Sequence, residues 1–195
     1  MTAALAPARQ PLHDRTIVLV GLMGVGKSSV GRRLATTLGL PFRDVDHEVE
    51  AAAGRTIPEI FAELGEAAFR DGERRVIARL LDEPPHVLAT GGGAFVNPDT
   101  RTLIKARALA VWLRADLDLL ARRIGRKDSR PLLKGREPIE VLREHAAARY
   151  PAYAEAHLTV DTSDTPHAVA VDAVITALRH HVDDAATPPS GESPS

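Results

Sequence analysis

The octapeptide Gly21-Leu-Met-Gly-Val-Gly-Lys27-Ser28 is the feature that most constrains what this chain can fold into. It fits the spacing G-x-x-x-x-G-K-S, and its flanks are equally specific. Before it runs Thr16-Ile-Val-Leu-Val20, apolar and β-branched, which predicts a strand. After it, Ser28 to Leu38 carries helical spacing and stops at Gly39. A strand, a glycine-rich turn and a helix start form a phosphate cradle. The glycines let backbone N–H groups converge on anionic oxygens, and the helix dipole directs its positive end to the same place. In such a loop Lys27 reaches the β and γ phosphates of ATP, and the Ser28 hydroxyl holds Mg²⁺. Gly24, Val25, Gly26 and Ser29 complete the expected ATP-binding set. The competing reading is a dinucleotide loop on Gly24 and Gly26, with Asp44 or Asp46 as its ribose acid. It fails at the third glycine, which is Ser29 here, and Lys27 would crowd a pyrophosphate turn.

Short apolar runs alternate with helical patterns along the rest of the chain. Strands are expected at Phe42 to Val45, His86 to Thr90, Leu109 to Leu113 and His157 to Val160. A helix starts at Thr56, where Glu59 three residues on makes a capping box. Further helical spacing covers 66–81, 99–107, 116–124, 138–150 and 166–181. The alternation predicts an α/β class, a three-layer α/β/α fold on five parallel strands. Residues 15–182 read as one domain. Residues 1–14 hold two prolines and no period, and read as a flexible arm. Residues 183–195 carry three acids, no base and three prolines, and read as a disordered tail.

Composition narrows the function. With no cysteine there is no disulfide scaffold, cysteine-zinc site or thiol nucleophile. Apolar stretches fall well short of the roughly 20 residues that cross a bilayer, so no membrane partner is expected. The first fourteen residues lack a secretory apolar core, which predicts a cytoplasmic protein. A formal net charge of −1 gives no reason to expect nucleic acid.

That near-neutral total is unevenly spread. The span 122–149 holds nine basic residues against four acids, a local net of +5. Gly125, Pro131 and Gly135 make its first half poorly helical, so residues 123–137 read as a basic lid over ATP. Lack of interleaved aromatics argues against a nucleic-acid surface there. Asp44 and Asp46 follow the second strand and open on the same crevice as the phosphate loop. As strand residues two apart they share a face, so that one supports Mg²⁺ while the other grips a hydroxyl. Alternatively, either one caps the helix that begins near His47. Gly91-Gly92-Gly93 is expensive in chain entropy, which points to a ligand lying against bare backbone. No acid stands there as in a Walker B strand end, which leaves the metal to Ser28 and Asp44. Arg70, taken alone, is one of many arginines compatible with a surface. The histidines show no metal-ligand spacing and read as surface residues.

Taken together, GLMGVGKSSVGRRLA, the DVD of 44–46, GRTIPEIFAELGEAAFRDGE, ATGGGAF, SRPLL and AARYPAY resemble the shikimate kinase family, in order, from about Arg15 to His181. The resemblance implies ATP-dependent phosphorylation of the 3-hydroxyl of shikimate, in aromatic amino acid biosynthesis, with Mg²⁺. It implies that Asp46 binds the ring hydroxyls and orients the attacking one. Arg70 and Arg149 would hold the carboxylate, and Gly91, Gly92 and Gly93 would pack on the substrate. Arg130 in SRPLL would be the lid arginine near the phosphates, and Arg123 the residue near adenine. Lys27, Asp46 and Arg130 form the implied catalytic set. One departure stands out: the loop Thr162-Ser-Asp-Thr-Pro166 has no base, where the family often has an arginine. A monomer is expected. The alternative is another P-loop kinase of a small acidic metabolite such as gluconate; the triple glycine and the Asp44/Asp46 pair favour shikimate.

Overall fold

The computed structural model describes residues 14–125 and 136–186. Nearly all of the N-terminal arm, Arg130 with most of the expected lid, and residues 187–195 lie outside the described residues. Five strands and seven helices alternate among those described: β1 (Thr16–Val20), α1 (Lys27–Leu38), β2 (Phe42–Asp44), α2 (Val45–Ala53), α3 (Ile57–Leu81), β3 (Val87–Ala89), α4 (Pro98–Arg107), β4 (Ala108–Ala115), α5 (Leu117–Gly125), α6 (Pro138–Tyr153), β5 (Leu158–Thr162) and α7 (His167–Ala186). The strands form one parallel sheet in the order β2-β3-β1-β4-β5. Val18 of the central strand pairs with Leu88 on one side and Ala110 on the other. Every residue of β1 is buried, because helices cover both faces of a parallel sheet. That explains its unbroken apolar run. With all strands pointing one way, the turns after β1, β2 and β3 open on one edge. They carry the phosphate loop, Asp44 and the three glycines.

Several boundaries differ from the spacing, and one difference changes the chemistry. β2 ends at Asp44, and Val45 begins α2. Asp44 is the N-cap of α2, its side chain accepting from Asp46 N–H, so Asp46 lies in the first helical turn and does not share a strand face with Asp44. The expected capping box is present, with Thr56 and Glu59 bonded reciprocally. The two helical patterns that follow are one element broken at Gly65 (φ 80°, ψ 173°), a conformation only glycine adopts readily. At the other end α7 continues through Asp183 to Ala186, so the helix takes in the first residues of the expected tail. No helix among the described residues is long and apolar enough to cross a membrane.

Candidate active site

The phosphate loop is shaped by backbone angles. Gly24 (φ 83°) and Gly26 (φ 95°) are left-handed, and Gly26 is the N-cap of α1. The first turn of α1 contains no acid of its own, which leaves its N-terminal dipole uncompensated from within the helix. Lys27 Nζ donates to Gly21 O at 2.8 Å and Leu22 O at 3.0 Å, folded along its own loop. Val25 is buried and does not line the cleft. Ser28 Oγ donates to Asp44 Oδ2 at 2.6 Å, while Asp44 Oδ1 accepts from Asp46 N–H at 3.2 Å. Asp44 therefore caps a helix and also stands beside the Ser28 hydroxyl. A hydroxyl and a carboxylate side by side suit a hard divalent cation whose remaining ligands are phosphate and water oxygens. No group of three or more metal-ligating side chains exists among the described residues.

The three glycines after β3 line the cleft and are also approached closely by charged side chains. A Cβ on Gly91 would stand 3.0 Å from Glu73 Oε1 and 3.1 Å from Asp46 Oδ1. On Gly92 it would meet Arg149 Nη1 at 2.8 Å, and on Gly93 Arg70 Nη1 at 2.6 Å. Each glycine makes room for a different charged side chain, so the segment seats the site's own residues. Arg70 donates to Glu73 Oε2 at 2.8 Å and to Glu66 Oε1 at 3.3 Å. Burial opposes its charge, but its bonds to the Glu73 and Glu66 carboxylates outweigh that and hold it protonated. Burial pushes the Asp46 carboxyl above the usual aspartate range; Asp44 adds to this, and Lys27 and Arg70 act against it. A carboxylate so raised, in a cleft, has the character of a general base.

Sequence reasoning missed four residues here. Glu73 is 2% exposed, and its Oε1 has no hydrogen-bond partner. Burial pushes its carboxyl upward, and Arg70 offsets this only in part. Its i+3 spacing from Arg70 was a readable signal. Tyr153, fully buried against Trp112 and Tyr150, donates to Gly92 O and also bonds Arg149. Burial lifts its hydroxyl to about 12, so it remains a neutral donor. His145 and His167 both line the cleft, which corrects their reading as surface residues. Burial, with Arg149 nearby, lowers the pKa of His145.

One cleft of about 1390 Å³ joins these parts. Gly24, Gly26, Lys27, Ser28 and Ser29 line one end, and Asp46, Arg70, Gly91, Gly92, Gly93 and Arg149 the other. Arg123 also faces it, donating to Ser163 O at 2.9 Å, 3.8 Å from Asp164. The loop that lacks a base of its own is thus held by one from α5. Phosphate-binding backbone at one end and a guanidinium pair at the other define the class: a P-loop kinase acting on a small anionic acceptor.

A sequence model of the shikimate kinase family matches residues 23–179. A shikimate kinase of Caulobacter vibrioides is 75% identical over 169 residues, 87% of this chain and 84% of that one. The solved shikimate kinase from Acinetobacter baumannii in complex with shikimate aligns with a TM-score of 0.79 at 40% identity, over 83% of this chain and 91% of that one. A gluconokinase from Sinorhizobium meliloti aligns at 0.60 with 20% identity, over 89% of this chain and 96% of that one, a likeness of fold alone. This chain belongs to the shikimate kinase family and is a phosphotransferase with an alcohol group as acceptor.

Proposed function

We propose that the chain transfers the γ-phosphoryl group of ATP to the 3-hydroxyl of shikimate, acting as a cytoplasmic monomer with no nucleic-acid or membrane partner. The observation that supports this reading best is the seating of Asp46, Arg70 and Arg149 around three successive glycines, in the same cleft as the phosphate loop. The forked guanidinium groups of Arg70 and Arg149 hold the acceptor's carboxylate. Asp46 orients the 3-hydroxyl and takes its proton as the new O–P bond forms and ADP departs. Lys27 neutralises charge on the β and γ phosphates. Ser28 and Asp44 would hold Mg²⁺, which when bound offsets the negative charge of the phosphate oxygens. Arg123 serves the adenine side. Arg130, outside the described residues, is proposed as the lid arginine. An ATP-consumption assay with shikimate, gluconate, nucleoside monophosphates and no acceptor tests the reading. Rapid turnover is expected with shikimate alone; equal turnover with gluconate overturns it.

A further inference from the structure

His167 is the first residue of α7, immediately after the Thr162–Pro166 loop that contains no base. Its imidazole rests against the phosphate loop: Cε1 lies 3.5 Å and Nδ1 3.8 Å from the position a Cβ on Gly26 would take. Gly26 is the N-cap of α1, the point on which the loop's N–H groups converge. The ring is half-buried and lines the same cleft as Gly24, Ser29 and Arg123. No described residue hydrogen-bonds either ring nitrogen. Burial, with Arg33 and Arg123 nearby, lowers its pKa and keeps it neutral, with one donor and one acceptor. Arg33 is itself engaged at 3.0 Å by Ser29 O, and Arg123 by Ser163 O. Among the described residues, both imidazole nitrogens beside Gly26 still have hydrogen bonds to make.

We infer that His167 is a nucleotide-positioning residue, hydrogen-bonding the phosphate–ribose segment of ATP or ADP where it passes Gly26. This rests on the reading of the cleft as a nucleotide site. The simplest competing role is packing, a flat ring that fills space beside a glycine. The two roles separate by substitution. Phenylalanine keeps the flat ring without the nitrogens; glutamine keeps donor and acceptor without the ring.

The test is calorimetric titration of the full-length protein and its variants with ADP, alongside the KM values for ATP and shikimate. His167→Phe is expected to weaken ADP binding roughly fivefold, the effect of one neutral hydrogen bond, and to raise the KM for ATP equally. Its shikimate KM should remain within twofold, and His167→Gln should recover most of the ADP affinity. Unchanged ADP binding in His167→Phe, with wild type binding normally, overturns the assignment and leaves the kinase reading intact. So does a variant that loses ADP and shikimate binding together with its melting temperature, which marks a packing role. Failure of the wild type to bind ADP overturns the nucleotide reading and the assignment with it.

Discussion

Lys27 and the two cleft arginines carry different loads, so their loss should be felt at different steps. Lys27 belongs to the phosphate end. Its replacement by alanine is expected to lower kcat by on the order of 10² or more at saturating substrates, as for comparable charge stabilisers. Steady-state kinetics near those of wild type would remove the role. Arg70→Ala or Arg149→Ala should instead raise the KM for shikimate about tenfold or more, with the KM for ATP nearly unchanged. The reverse pattern rejects the carboxylate assignment. Glu73 permits a test by pH. Its folded pKa is raised above the ordinary 4.5, chiefly by burial. Below that ordinary value both folded and unfolded chains carry the proton, and burial of the charge brings no penalty. As pH rises past 4.5 the unfolded chain ionises first, and the folded state loses relative stability until its own carboxyl has ionised. Glu73→Gln removes this loss. Ligand-free melting should therefore show a larger gain for the variant at pH 7.5 than at pH 4.5, and an equal gain at both would contradict the burial argument. The same change frees Arg70 from its 2.8 Å partner, so the KM for shikimate should rise.

At the scale of elements, the turn after β3 gives the sharpest prediction. Gly93 has φ −96° and ψ −19°, open to any residue, so alanine there adds no backbone strain. Its Cβ would instead stand 2.6 Å from Arg70 Nη1 and push the guanidinium aside. Gly93→Ala is expected to leave the melting temperature nearly unchanged while raising the KM for shikimate about tenfold. Kinetics and a melt on one sample check both halves. Local features like this turn were legible in the sequence, though the side chains seated on it were not. The triple glycine announced close approach, but what approaches comes from α2, α3 and α6, remote in sequence. Thr56 and Glu59 were legible because a capping box is complete within four residues. The end of β2 was not. Val45 is apolar and β-branched and continues a strand pattern, and three residues cannot separate a period of 2 from one of 3.6. That single position moved Asp46 from a strand face to a helix turn. Tyr153, His145 and His167 escaped for a related reason: each meets the cleft, or the residues that line it, only through the packing of α6 or α7 on distant elements.

At the scale of the molecule, the parallel sheet gathers short-range signals into one site, and it also sets which parts of the chain are dispensable. The local charge of +5 in 122–149 is a case in point. Of its described members, Arg123 meets the Ser163–Asp164 loop and Arg149 lies against Gly92, and both line the cleft. The C-terminus shows the opposite arrangement. α7 buries Ala170, Val171, Val174, Ile175 and Leu178, the spacing of a single helical face. That face packs on α1 and β5. Between Leu178 and Asp183 no residue is buried. Thr187 to Ser195 contains three prolines and no apolar residue. A chain ended after Ala186 should therefore keep its activity, with a melting temperature within about 2 °C of the full chain, as expected of changes outside a core. Ending it after Val174 removes Ile175 and Leu178, each contributing roughly 1.5–3 kcal/mol by burial, and should abolish cooperative melting near the original temperature. Scanning calorimetry on the two truncations decides the matter. A large loss from the shorter cut would place a stabilising contact beyond Ala186, and an unaffected melt from the longer one would mean that α7 does not close the core.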